Sequence, residues 1–185
     1  MKFNSPFRGV LIYHGLGVGK TATSIYVYNE LYNTTKNWNV YILVKKSLFK
    51  GWQDELHTFL EKNEFKDRMK NIHFINYDSS NLNNQFKKVI NDPNNVGKNN
   101  IYIIDEVHNF IRSVYGNISN QHSSRALEVY EYIQRDLNKN KNTRIMCISG
   151  TPVINKPYEL ALLFNLLRKN SFPDKEDEFN NIFLK

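Results

Sequence analysis

Five β-rich apolar runs punctuate the chain, at Gly9–Tyr13, Asn39–Val44, Asn71–Asn76, Asn100–Ile104 and Arg144–Ser149. Four of them hold apolar residues consecutively rather than in alternation, the pattern of strands buried on both faces. Between the runs lie helix candidates at 20–32, 48–62, 81–91, 123–138 and 157–168. Strand and helix therefore alternate throughout, which predicts an α/β three-layer sandwich with a mostly parallel sheet. The polar breaks are rich in Asn: Asp92–Asn95, Tyr115–His122 and Asn138–Asn142 read as surface loops within one domain. No internal repeat is evident, and a new amphipathic segment starts at Ser171.

The chain has 185 residues, 41% of them hydrophobic, enough for one domain with a sizeable core and too few for two of ordinary size. Its formal charge of +7 suggests a negatively charged partner such as a nucleic acid backbone, although an AT-rich genome produces the same excess of Lys and Asn. The single cysteine, Cys147, lies in the apolar run Ile145–Ile148, so no internal disulfide forms and a buried small hydrophobe in a reducing compartment is expected. No apolar stretch reaches the roughly 20 residues that span a bilayer, and the start lacks a signal-peptide core, so a soluble intracellular protein is expected. His57, His73 and His122 have no Cys or acidic neighbours at metal-ligand spacing, and no structural metal is expected.

Candidate chemistry begins where the run Gly9–Tyr13 leads into His14-Gly15-Leu16-Gly17-Val18-Gly19-Lys20-Thr21 and then a helical stretch. Glycines let a backbone turn tightly and aim its N–H groups at phosphate oxygens, and the following helix N-terminus adds its positive dipole end. Lys20 would reach the β- and γ-phosphates and Thr21 would hold Mg²⁺, with Gly15, Gly17, Val18 and Gly19 forming the cradle. The general pattern wants Gly where His14 stands, so the match is to the tail of the motif; the bland reading is a Gly-rich turn with an exposed lysine. The second cluster, Asp105-Glu106-Val107-His108, follows the run Asn100–Ile104, which sets two carboxylates at the C-terminal edge of a buried strand. Asp105 would hold Mg²⁺ and Glu106 would orient or deprotonate water. Taken alone, such a pair is as often a helix N-cap.

In order along the chain, Gly-Leu-Gly-Val-Gly-Lys-Thr, Asp-Glu-Val-His and Ser149-Gly150-Thr151-Pro152 resemble motifs I, II and III of superfamily 2 helicases. The stretch from Ser47 through Trp52 to Leu56 and the stretch from Ser149 through Asn155 to Glu159 are similar to the Swi/Snf branch. Leu-Ile-Tyr-His-Gly-Leu-Gly-Val-Gly-Lys-Thr and Ile-Ile-Asp-Glu-Val-His-Asn-Phe look most like relatives from large nucleocytoplasmic DNA viruses, including poxvirus-type transcription ATPases.

The resemblance implies a RecA-like ATP-binding lobe over 1–168, with 169–185 starting the connection to a second lobe absent from this chain. It implies ATP and Mg²⁺ as ligands, Lys20, Asp105 and Glu106 in hydrolysis, and His108, Ser149 and Thr151 in coupling the γ-phosphate to nucleic acid. Lys45, Lys46 and Ser47 match the position of a segment that contacts the phosphate backbone, and Tyr77 that of its neighbour; a solvated surface is the alternative for the two lysines, while Trp52 reads as core packing. In the family the second lobe supplies an arginine finger worth about 10³–10⁵ in turnover, so this chain alone is expected to hydrolyse ATP very slowly. Only 13 residues precede His14, leaving little room for an adenine-reading motif. The function implied is that of a nucleic-acid-dependent ATPase, a helicase or double-stranded DNA translocase, in a virion or viral factory. The alternative is a nucleotide-regulated binding module of a transcription complex. A kinase or transport ATPase fits the phosphate loop but not the two later motifs.

Overall fold

The computed structural model describes residues 5–13, 15, 19–60, 62–120, 124–151 and 155–184. Its strands are β1 (Gly9–Tyr13), β2 (Trp38–Val44), β3 (Ile72–Asn76), β4 (Asn99–Ile104) and β5 (Arg144–Ser149). Its helices are α1 (Lys20–Thr34), α2 (Phe49–Phe59), α3 (Lys62–Met69), α4 (Leu82–Ile90), α5 (Val107–Asn120), α6 (Arg125–Lys139), α7 (Pro157–Leu167) and α8 (Glu176–Phe183). The strands form one sheet in the order β1-β5-β4-β2-β3, and every pairing is parallel.

Consecutive apolar residues are needed because each strand feeds two cores. Successive side chains of a strand point to opposite faces. Trp38, Val40, Ile42 and Val44 of β2, Ile101 and Ile103 of β4, and Met146 and Ile148 of β5 pack beneath α1, α2 and α3. The intervening Tyr41, Leu43, Tyr102, Ile104, Ile145 and Cys147 face the opposite core, built with α4 through α8. Burial at Cys147 pushes its thiol pKa well up, so it behaves as a small hydrophobe.

Two stretches differ from the sequence expectation. Tyr115–His122 is not a loop through Asn120: it forms the last turns of α5, whose buried Val107, Phe110, Ile111 and Val114 lie at helical spacing. Asn, Ser and Gly at the helix end masked that period, and residues 121–123 lie outside the described residues. The helix expected over 48–62 stops at Phe59, because Leu60 turns extended at φ −104°, ψ 136°, and α3 begins a separate helix. The C-terminal segment folds back: Phe179 of α8 is buried against Tyr158 of α7 and Phe172, with ring centroids 5.7 Å from each. No helix among the described residues is long and apolar enough to cross a membrane.

At the sheet edge remote from the strand C-termini, α7 crosses β1 closely. A Cβ at Gly9 would fall on the carbonyl oxygen of Leu167 and 2.7 Å from its Cα, both unyielding backbone atoms. Gly9→Ala is therefore expected to lower stability by about 1–3 kcal/mol through overpacking. Urea unfolding checks this, and an unchanged midpoint would mean that the end of α7 moves away without cost.

Candidate nucleotide site

Parallel strands end on the same side, so β1, β4 and β5 deliver their following residues to one edge. Tyr13 is paired with Ser149, and Ile104 with both Leu43 and Cys147. Beyond β1, Gly19 adopts φ 79°, the left-handed conformation that costs a glycine nothing, and hands the chain to α1. Lys20 and Thr21 form the first turn of that helix. Among the described residues no side-chain cap bond closes its N-terminus at Gly19, and no acidic residue sits in its first turn. At Gly15 a Cβ would meet nothing within 4 Å. Gly17 and Val18, assigned to the cradle from sequence, lie outside the described residues together with His14 and Leu16.

Beyond β4, Asp105 is 7% exposed, and its carboxylate is held from two sides. Its Oδ2 accepts the indole N–H of Trp52 at 2.8 Å, and its Oδ1 accepts the backbone N–H of Glu106 at 2.9 Å. Burial raises the Asp105 pKa above the usual carboxylate value, the Trp52 bond opposes that, and the neighbouring Glu106 charge adds to it.

Glu106 itself has φ 47°, a conformation costing a non-glycine residue of the order of 1 kcal/mol. The strained turn brings its carboxylate to 3.9 Å from Lys20 Nζ and 3.3 Å from His108 Nδ1. The same Nδ1 lies 3.0 Å from Ser149 Oγ at the end of β5, and Ser149 Oγ accepts the backbone N–H of Thr151 at 3.2 Å. A continuous polar path thus runs from Lys20 through Glu106, His108 and Ser149 to Thr151, joining the ends of three strands. Pro152 lies outside the described residues, while Asn155 donates its backbone N–H to the buried Glu159 at 3.1 Å.

Of the residues expected to meet nucleic acid, Lys46 and Ser47 are exposed just beyond β2, and the half-buried Lys45 lies 3.9 Å from Asp78. The Tyr77 side chain does not belong with them: it is 4% exposed and packs edge-on against Phe110. Beyond β3 its aromatic bulk goes to the core, leaving only its backbone at the edge. Trp52 was legible as a core residue, but its bond to Asp105 was not; the signal is that a buried indole N–H needs an acceptor.

The donor set fits Mg²⁺. The Thr21 hydroxyl and the Asp105 carboxylate are hard oxygen donors beside a phosphate-type helix terminus, and Mg²⁺ characteristically takes one or two carboxylates plus substrate phosphates and waters. No group of three or more His, Cys, Asp or Glu side chains suited to a metal occurs among the described residues.

Burial holds the His108 pKa below the usual imidazole value, helped by Arg112 and Lys45 and opposed by Glu106. The unfolded chain therefore takes up this proton first as pH falls, and the fold loses stability below the ordinary value of about 6.5. The stability difference between the wild-type chain and His108→Gln is expected to shrink between about pH 7.5 and 5.5. Urea unfolding across that range checks it; a constant difference would mean that the imidazole is not held neutral.

Residues 2–185 match the SNF2-related domain. The chain is 46% identical over 189 residues to an Acanthamoeba polyphaga mimivirus protein provisionally named an ATP-dependent RNA helicase, covering 97% of this chain and 23% of that protein. It is 33% identical over 186 residues to nucleoside triphosphatase I of Melanoplus sanguinipes entomopoxvirus, covering 98% of this chain and 27% of the relative. The chain thus spans about a quarter of the length of these curated relatives. Its fold is similar to that of the Sulfolobus solfataricus SWI2/SNF2 ATPase core, solved with double-stranded DNA and as the core domain alone. The TM-score is 0.58 for both, at 17% and 18% identity, covering 94% and 96% of this chain and 34% of each solved chain. With a family match along nearly its whole length and viral relatives on both sides of the comparison, this chain belongs to the SNF2-related domain family.

Proposed function

We propose that this chain is the ATP-binding lobe of a nucleic-acid-dependent ATPase of the helicase or double-stranded DNA translocase type, hydrolysing ATP to ADP and phosphate when paired with a second lobe. The observation that carries this reading is the convergence of Lys20, Asp105, Glu106 and the His108–Ser149 contact on one edge of the parallel sheet. The names of the viral relatives, an RNA helicase and a nucleoside triphosphatase, support the same reaction class.

In this reading Gly15, Gly17, Val18 and Gly19 ahead of α1, with Lys20 and Thr21 in its first turn, cradle the phosphates, and Lys20 exchanges Glu106 for a phosphate oxygen. Thr21 and Asp105 would hold Mg²⁺, which would supply positive charge to offset that of the phosphates. Glu106, released from Lys20, orients the attacking water and takes its proton. His108, Ser149 and Thr151 form the relay by which the γ-phosphate state is felt beyond the strand ends. Lys45, Lys46 and Ser47 meet the nucleic acid backbone, and residues 169–185 lead towards a second lobe supplying an arginine finger worth about 10³–10⁵ in turnover. The viral relatives make viral transcription machinery a candidate partner and the virion or viral factory a candidate location.

Three measurements test the proposal. Lys20→Ala is expected to abolish nucleotide binding, and unchanged affinity would remove the loop from its role. Glu106→Gln is expected to keep Mg·ATP binding while turnover falls about 10²–10⁴-fold; undiminished hydrolysis would relieve Glu106 of the water. ATP hydrolysis by a two-lobe form is expected to rise when double-stranded DNA is added. Stimulation by RNA alone would move the substrate, and nucleotide binding without turnover under all conditions would favour a nucleotide-regulated module.

A further inference from the structure

The bond from Trp52 to Asp105 is the point where a helix outside the strand-edge motifs touches the acid at their centre. Both residues are buried, at 2% and 7% exposure, and the donor–acceptor distance is 2.8 Å. Trp52 lies one turn into α2, whose apolar face of Trp52 and Leu56 packs on the sheet and fixes the indole. From there the ring N–H can satisfy itself only on a neighbouring acceptor, since an indole donates and never accepts.

We propose that Trp52 is a positioning residue for Asp105: its indole N–H pins Oδ2 so that the carboxylate meets Mg·nucleotide in one fixed orientation. This rests on the nucleotide-site reading above. Three observations support it. Asp105 is tethered through both oxygens, Oδ1 by the Glu106 N–H at 2.9 Å and Oδ2 by Trp52, which removes rotation about its terminal torsion. Each carboxylate oxygen still keeps a free lone-pair direction for a cation. The Trp52 donor is also neutral: a lysine or arginine there would cancel the charge that a divalent ion requires, whereas an indole orients the carboxylate without discharging it.

The experiment compares the wild-type chain with Trp52→Phe and Trp38→Phe, reading the Mg²⁺ concentration needed for half-maximal binding of a fluorescent ATP analogue. Trp38 is the control because it too donates a buried indole bond, to the Leu31 carbonyl at 3.1 Å, and it stands at the start of β2, paired with Asn99, whereas Asp105 follows the far end of β4. Trp52→Phe is expected to raise the Mg²⁺ midpoint about 10–100-fold, the usual loss when a partner orienting a metal ligand is removed. Binding measured in excess chelator is expected not to change, nor is the midpoint of Trp38→Phe. An unmoved midpoint in Trp52→Phe, or equal shifts in both variants, would overturn the proposal. If the wild-type chain shows no Mg²⁺-dependent binding, the nucleotide-site reading itself fails; if it does and Trp52→Phe leaves the midpoint where it was, the positioning role alone fails. Should Trp52→Phe not fold, Trp38→Phe leaves Trp52 as the sole tryptophan of the chain. Its emission is then expected to shift when Mg²⁺ is added to the ATP-bound chain but not to the free chain, and an unchanged emission would overturn the proposal.

Discussion

The charged groups of the site stand where they do because β4 runs parallel between β2 and β5 and is apolar on both faces. A strand so placed cannot carry an ionised group along its length without a large desolvation cost, so acids can enter only where the strand stops. Parallel pairing then brings all such stops to one edge. The Asp105 N–H still bonds to the Leu43 carbonyl at 3.0 Å, so the first residue beyond β4 is held almost as firmly as the strand. Everything the site does begins from that fixed point.

The left-handed turn at Glu106 follows directly. A chain leaving β4 and entering α5 without a bend would carry the second carboxylate away from the N-terminus of α1. The bend costs some conformational energy, offset by the hydrogen bond from the Asn109 N–H to the Glu106 carbonyl at 2.8 Å and by the buried face of α5. It leaves two acids, adjacent in sequence, in different surroundings. Asp105 is buried and held by neutral donors, whereas Glu106 is half-exposed between a lysine and an imidazole. The Lys20–Glu106 pair, at 3.9 Å and open to water on the Glu106 side, contributes about 1 kcal/mol or less, so a ligand can replace it cheaply. The Trp52–Asp105 bond is shorter and joins two buried residues.

Much of this was legible in the chain itself. Runs such as Tyr41–Val44 and Ile101–Ile104 announce strands buried on both faces, because only such strands have no use for polar alternation, and their alternation with helical stretches fixes a parallel α/β sheet. Lys20, Thr21, Asp105 and Glu106 stood out as candidates because phosphate cradles and acidic strand ends place constraints on neighbours in sequence, and the fold brings Lys20 and Glu106 to 3.9 Å of each other. Helix α5 was misread where Ser119 and Asn120 line its exposed end and Asn117 turns its amide oxygen to the backbone N–H groups of Ala126 and Leu127: polar side chains look alike on a helix surface and in a loop, and only packing separates them. Tyr77 was expected near the nucleic acid backbone from its match to a family segment after a strand, yet its ring is buried against Phe110, a partner 33 positions away.

The sequence by itself determined the sheet class and singled out the candidate residues for phosphate and a hard cation, since backbone geometry and donor chemistry are local properties. Only the tertiary structure decided which of them meet: that His108 reaches Ser149 across 41 positions, that the Glu106 carboxylate faces Lys20, and that Trp52 holds Asp105 from 53 positions away. Those contacts depend on strand order and on the height at which each helix docks, and no spacing along the chain encodes either.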